Sequence, residues 1–187
     1  MTNSLKLIEN FYRDKRAERT KIPLINHIYE GLEIMNSLEA SELGKSAYCI
    51  HPMLQDTSAL IENINYCFDN VNSDIIKLAI KYRLAANAFL CKPTTDIYTK
   101  EAIINLMTSL ELFSNQDLKD ALIADKIQNR KDFLLYHHGT HPRSDELNEY
   151  FIKWLDILDV KSTKIMQNKE LVLKYKLEYL KQGKLCL

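Results

Sequence analysis

The sequence predicts an all-α protein built as a single domain, and three observations carry that prediction. Apolar residues recur at helical spacing along nearly the whole chain, and the alternation that marks a half-buried strand is absent. Only four glycines and four prolines occur in 187 residues, which leaves little material for turns and loops. No linker, internal repeat or compositional shift divides the chain, and its length suits one sizeable core better than two.

The elements follow in order. Leu5, Ile8, Phe11 and Tyr12 make a first apolar stripe. Leu24, Ile28, Leu32, Met35 and Leu38 make a second, entered through Pro23, whose fixed φ suits a helix start. Leu43, Ala47 and Ile50 form a third that stops against Pro52, so that one helix ends at Ile50 and another starts at Met53. Leu60, Ile61, Ile64 and Phe68 follow, then Ile75, Ile76, Ala79, Ile80 and Leu84. After a break at "CKPTTD", Ile103, Ile104, Met107 and Leu110 resume the pattern. The stretch "SNQD" supplies an N-terminal cap for a helix running through Leu118, Leu122 and Ile123. Gly139 and Pro142 end that helix within "HHGTHPRSDE", and Ser144 is placed to cap the next, whose stripe is Leu147, Phe151, Trp154, Leu155 and Leu158. A charged amphipathic helix over about 161–182 closes the chain, suited to packing on the domain or across a homo-oligomer interface.

Composition excludes several roles. Lys plus Arg equals Asp plus Glu at 25 each, so no net field draws the chain to nucleic acid or an anionic membrane. The first residues lack a signal-peptide core and no apolar run reaches membrane-spanning length, which predicts a cytoplasmic protein. Cys49, Cys67, Cys91 and Cys186 form no C-x-x-C pair and read as reduced thiols rather than a zinc knuckle or disulfide framework.

Three segments place ligand-type residues in helical contexts: His27 in "IPLINHIYEG", His51 in "AYCIHPMLQD", and Asp125 in "ALIADKIQNRKDF". Asp125 interrupts an apolar face, and a buried carboxylate needs a partner. A metal ion held by two histidines is one such partner, and a neighbouring Lys or Arg is another. Taken singly, a histidine on an amphipathic helix is more often a packing residue, and an Asp among cations more often a surface ion pair. His137, His138 and His141 read as solvent-exposed loop histidines rather than a second metal site.

Order and context add to this. "IPLINHI", "AYCIHPMLQD" and "ALIADKIQNRKDF…ELNEYFIKW" are similar to successive motifs of the small alarmone hydrolases, the hydrolase half of the RelA/SpoT family within the HD-domain superfamily. The family runs "PYINHP", "AALLHDxxED" and "KLADKLxNLRDL…EYFxW", and the resemblance covers about residues 19–160. It implies a divalent metal, usually manganese, held by His27, His51 and Asp125. It also implies substrate contacts from Arg19, Lys21, Lys126, Asn129 and Tyr150, and a catalytic acidic pair falling on Gln55 and Asp56. Three departures fall on working positions: Pro52 replaces the Asp of the "HD" pair, Gln55 replaces a Glu that would take a proton, and Glu146 replaces a family Arg. Arg143, one further turn back, is a substitute cation. The resemblance therefore implies a metal-dependent phosphohydrolase or pyrophosphohydrolase acting on a nucleotide such as guanosine tetraphosphate. The alternative is a degenerate relative that binds or senses a nucleotide or docks on a partner protein.

Overall fold

The computed structural model describes residues 2–18, 20–87, 99–109, 111, 114–140 and 142–158. Its helices follow the apolar stripes: α1 (Thr2–Tyr12), α2 (Ile25–Ser37), α3 (Glu42–Ile50), α4 (Thr57–Asn70), α5 (Ser73–Asn87), α6 (Lys100–Ser109), α7 (Gln116–Tyr136) and α8 (Ser144–Ile157). No strand occurs among the described residues, whose only extended pairing is an isolated bridge between Arg16 and Pro23. The all-α, single-domain prediction holds, because one apolar cluster runs from Leu7 to Leu158 and draws on every described helix. The "CKPTTD" break, Leu110 and the terminal helix over 161–182 lie outside the described residues, as do Cys91 and Cys186. Cys49 and Cys67 are free thiols inside the core. No described helix is long and apolar enough to cross a membrane.

The central post is α7, with α2, α3, α5 and α8 packed around it. Its apolar residues point in several directions: Leu118, Leu122, Ile123, Ile127 and Phe133 are all buried. A helix surrounded in this way also carries its polar side chains inward, where each must find a partner. Asp120, Asp125, Lys126, Gln128 and Lys131 are therefore buried too, and the partners they find build the site.

Local signals fix how the neighbours meet this post. Asn115 caps α7 by accepting from the Leu118 amide at 3.0 Å, as the "SNQD" stretch predicts. Ser41 caps α3 through the Gly44 amide at 3.0 Å and donates its hydroxyl to Asp117 Oδ1 at 2.6 Å, tying the start of α3 to the first turn of α7. Helices α2 and α3 approach so closely at Gly31 that a Cβ there would fall 2.0 Å from the Tyr48 hydroxyl. Only glycine leaves room for that fully buried ring.

Two local expectations change. The helix expected from Met53 is instead a single 3-10 turn, His51–Leu54, with α4 starting only at Thr57. Met53 and Leu54 are fully buried and anchor the turn in the core, and Asp56 then caps α4 by accepting from the Ala59 amide at 2.8 Å. Ser144 does not cap α8 but is its first residue. Its hydroxyl accepts from the Gly139 amide at 3.0 Å, latching the loop back where Gly139 takes a left-handed φ of 79°.

Between α1 and α2 the chain forms a strap. Ala17 donates to the Ile22 carbonyl at 2.9 Å, and Leu24 to the Lys15 carbonyl at 3.0 Å. Arg16 Nη1 adds a bond to the Lys21 carbonyl at 2.9 Å, where Lys21 holds φ at 58°. Ala17, Glu18, Thr20 and Leu24 of this strap form one wall of the cavity described next.

Candidate metal centre

His27 lies in the first turn of α2, His51 starts the turn after α3, and Asp125 comes from α7. Their side chains converge. The two Nε2 atoms stand 3.2 Å apart, and His27 Nε2 lies 3.6 Å from Asp125 Oδ1. One ligand atom from each residue falls within 4.8 Å of the others, so the group can hold a metal ion.

Hydrogen bonds behind the rings decide which way the lone pairs point. His51 Nδ1 lies 2.6 Å from the Tyr48 carbonyl, which can only accept, so Nδ1 carries the proton and Nε2 is bare. His27 Nδ1 lies 2.5 Å from Gln128 Oε1. The Gln128 amide cannot be turned over: its nitrogen donates to Glu30 Oε2 at 3.1 Å and to Asp132 Oδ2 at 2.8 Å, and carboxylates only accept. His27 therefore also carries its proton on Nδ1. A neutral His27 with this proton placement, like His51, presents a bare Nε2 toward the Asp125 carboxylate, the form in which the group can hold a cation. Neighbouring donors around one small divalent ion stand ~3.0–3.4 Å apart, the spacing of the two Nε2 atoms at 3.2 Å.

Electrostatics agree with this state. Burial, reinforced by the neighbouring His27, pushes His51 down to about 3, which keeps it a neutral imidazole, the ligating form. Burial alone would raise the Asp125 carboxyl, but the Lys126 ammonium and the two histidines hold it below the ordinary value, with a hydrogen bond from Tyr82 contributing. Asn129 Nδ2 also donates to Asp125 Oδ1 at 2.7 Å. Tyr48 donates to the His27 carbonyl at 3.2 Å, and its phenol is kept protonated well above the usual range, first by burial.

The centre opens on a cavity of about 770 Å³. Tyr12, Leu24, Phe133, Tyr136, Leu147 and Phe151 give it apolar walls, and His27, His51 and Asp125 lie at one end with Pro52, Gln55 and Asn129. That volume lies in the range of a small-molecule site.

The other expected site residues fall in different places. Lys126 borders the cavity, yet its ammonium is fully buried, 3.3 Å from Asp125 Oδ2 and 3.0 Å from the Tyr150 hydroxyl, over the rings of Tyr150 and Trp154. Burial would lower its pKa, but Tyr150 and Asp125 hold it above the ordinary lysine value. Tyr150 is thus a buried partner of Lys126 rather than a cavity wall. Asp56 is exposed and occupied as the α4 cap. Lys21 is exposed on the strap and does not line the cavity. Arg143 is spent on Glu146 through contacts of 2.6 and 2.5 Å. His137 reaches the cavity wall, and His138 packs edge-on against Phe133. Arg19 and His141 lie outside the described residues.

Comparison of the chain with models of known protein families, with curated proteins and with solved structures finds no match.

Sequence reading missed Tyr82, Gln128, Glu30 and Lys131. The one available signal was that α7 is apolar on several sides, which places any polar residue on it among buried neighbours.

Proposed function

We propose that the protein is a metal-dependent phosphohydrolase of the HD-domain type, acting in the cytoplasm on a nucleotide. The observation that carries this reading is the convergence of His27 Nε2, His51 Nε2 and the Asp125 carboxylate at one end of the cavity. The motif order, similar to that of alarmone hydrolases, supports it from the sequence side. A bound divalent ion, manganese in this reading, would polarise a phosphoryl oxygen and acidify a bound water.

The chain's own residues then have defined tasks. His27, His51 and Asp125 hold the ion, while Asn129 and Tyr82 aim the carboxylate. The aromatic walls receive the base of the nucleotide, and Asn129 at the cavity edge offers a polar contact. Gln55 borders the cavity as an amide, able to orient a water or a phosphoryl oxygen but not to take a proton near neutrality. Asp56, engaged with Ala59, sets the start of α4 and the position of Gln55 next to it.

The test is direct. Protein loaded with Mn²⁺ is expected to release phosphate or pyrophosphate from one member of a nucleotide panel that includes guanosine tetraphosphate. The His51→Ala variant is expected to lose both ion and turnover. An intact panel with fully loaded protein refutes the enzyme.

A second reading, a nucleotide-binding module without turnover, is favoured by one specific feature: the expected acid–base and cationic groups are absent or occupied. Position 52 is Pro, position 55 is Gln, Lys126 is sealed in the core, and Arg143 is paired with Glu146. Calorimetric nucleotide binding by loaded protein that turns nothing over would select it.

A further inference from the structure

Behind His27 lies a buried polar chain that no motif announces. Gln128 accepts from His27 Nδ1 at 2.5 Å and donates to Glu30 at 3.1 Å and Asp132 at 2.8 Å. Lys131 in turn contacts Glu30 Oε2 and sits 2.7 Å from Asp132 Oδ1. Glu30, Gln128 and Lys131 are all almost completely buried, between α2 and α7. A carboxylate and an ammonium are costly to bury unless each has a task or a partner, and Asp132 joins them from the half-buried edge.

We propose that Gln128, locked by Glu30 and Lys131, is a positioning residue that sets the protonation site of His27 and so aims its Nε2 lone pair into the centre; this rests on the metal-binding reading above. A glutamine amide has one accepting and one donating end, and nothing local chooses between them. Glu30 and Asp132 make the choice, because both can take only the N–H end. Turned over, the amide would set its oxygen against two carboxylates and offer His27 a donor. His27 would then hold its proton on Nε2, pointing at His51 Nε2 and at the place of the ion. The carboxylate behind the amide also polarises the whole chain of hydrogen bonds toward His27, which raises the donor strength of Nε2.

The charge arrangement explains why Lys131 belongs to the device. Its ammonium contacts Glu30 Oε2 and lies 2.7 Å from Asp132 Oδ1, offsetting the charge of both carboxylates from the far side.

Two measurements test this. Long-range ¹⁵N–¹H spectra of the imidazole rings in metal-free wild-type protein are expected to show His27 protonated on Nδ1. In Gln128→Leu that signature is expected to vanish, and Mn²⁺ affinity to fall ~10–100-fold, the range for removing a residue that orients a metal ligand. The triple variant Glu30→Gln, Gln128→Glu and Asp132→Asn keeps an acceptor at His27, gives the new carboxylate amide donors at both positions behind it, and is expected to restore both. Should Gln128→Leu not fold, the wild-type spectrum and the triple variant decide. An Nε2-protonated His27 in wild type, or wild-type Mn²⁺ affinity in folded Gln128→Leu, overturns the proposal. If wild type takes up no Mn²⁺ yet shows the Nδ1 proton that Gln128→Leu loses, the metal reading fails and the positioning role stands.

Discussion

Replacing Lys126 with methionine separates two roles that the sequence alone confuses. As a substrate contact, Lys126 would be felt in nucleotide affinity and hardly in folding. The structure instead seals its ammonium between Asp125 Oδ2 at 3.3 Å and the Tyr150 hydroxyl at 3.0 Å. Methionine keeps most of the hydrocarbon stem and gains sulfur contacts with the Tyr150 and Trp154 rings, worth ~0.3–1.5 kcal/mol. What it loses is one partner of a buried ion pair, a change that typically costs ~3–5 kcal/mol because the other charge is left behind. The balance is a destabilisation of about 3 kcal/mol for metal-free protein. With a urea dependence of about 2 kcal/mol per molar, the unfolding midpoint should fall by about 1.5 M. The sign of the pH dependence follows from Asp125, whose depressed carboxyl gives stability above the ordinary carboxylate range that is lost in acid. The variant loses the Lys126 part of that depression, so its deficit should narrow as pH falls. Urea unfolding followed by circular dichroism at neutral and acid pH reads all of this. An unchanged midpoint together with a collapse of nucleotide affinity would refute the buried role.

Three further outcomes follow from particular contacts. Gly31→Ala forces a Cβ to within 2.0 Å of the Tyr48 hydroxyl, so overpacking should cost about 2–3 kcal/mol. In a Tyr48→Ala background calorimetry should show much less than that cost, and strict additivity would speak against the close approach. Burial pushes the Cys49 thiol up to about 12 and the Cys67 thiol to about 11, from an ordinary value of 9.0. Both folded values lie above the unfolded one, so stability is complete below pH 9 and falls as pH rises toward 11. The slope is about 1.4 kcal/mol per pH unit for each thiol, and urea midpoints should show a shallower decline in Cys67→Ala. Asp56→Ala should cost about 1 kcal/mol by loss of the α4 cap, with turnover of a nucleotide substrate reduced only modestly. Abolished turnover with unchanged stability would make Asp56 the base that its motif position implies.

The fold was legible because helical burial writes itself at a fixed period. Every described helix carries the stripe that predicts it, and Asn115 and Gly139 take the conformations their residue types favour. The grouping of His27, His51 and Asp125, which can hold a metal ion, was legible because the three lie in segments whose order resembles a known motif series. What hid the rest is sequence distance and context. His27 and Gln128 are 101 positions apart, and nothing within "KIQNRKDF" marks its glutamine as facing a histidine. Lys126 and Lys131 read as surface cations beside acids until α7 is seen to be enclosed by four helices, where the same side chains are interior. Asp56 carries a second signal: Asp-Thr-Ser before an apolar run is a capping pattern, and its carboxylate caps α4.

The charge around the proposed centre gives these features a common sense. It has one anionic donor, Asp125, and Lys126 offsets that charge from 3.3 Å away. Pro52 stands where the resembling family has a second carboxylate, so a divalent ion here would keep more of its positive charge than in a two-carboxylate site. That state binds the ion less tightly but leaves it a stronger electrophile, and a bound water correspondingly more acidic. Affinity then has to come from the imidazoles. His51 is held neutral by burial, and the Gln128 oxygen, with Glu30 behind its amide, strengthens His27 without adding a charge next to the ion. In the proposed centre, the carboxylate that the resembled motif carries at position 52 would be replaced in part by one placed behind a histidine. Negative charge in that place increases the hold on the ion while weakening its Lewis acidity less than direct coordination would.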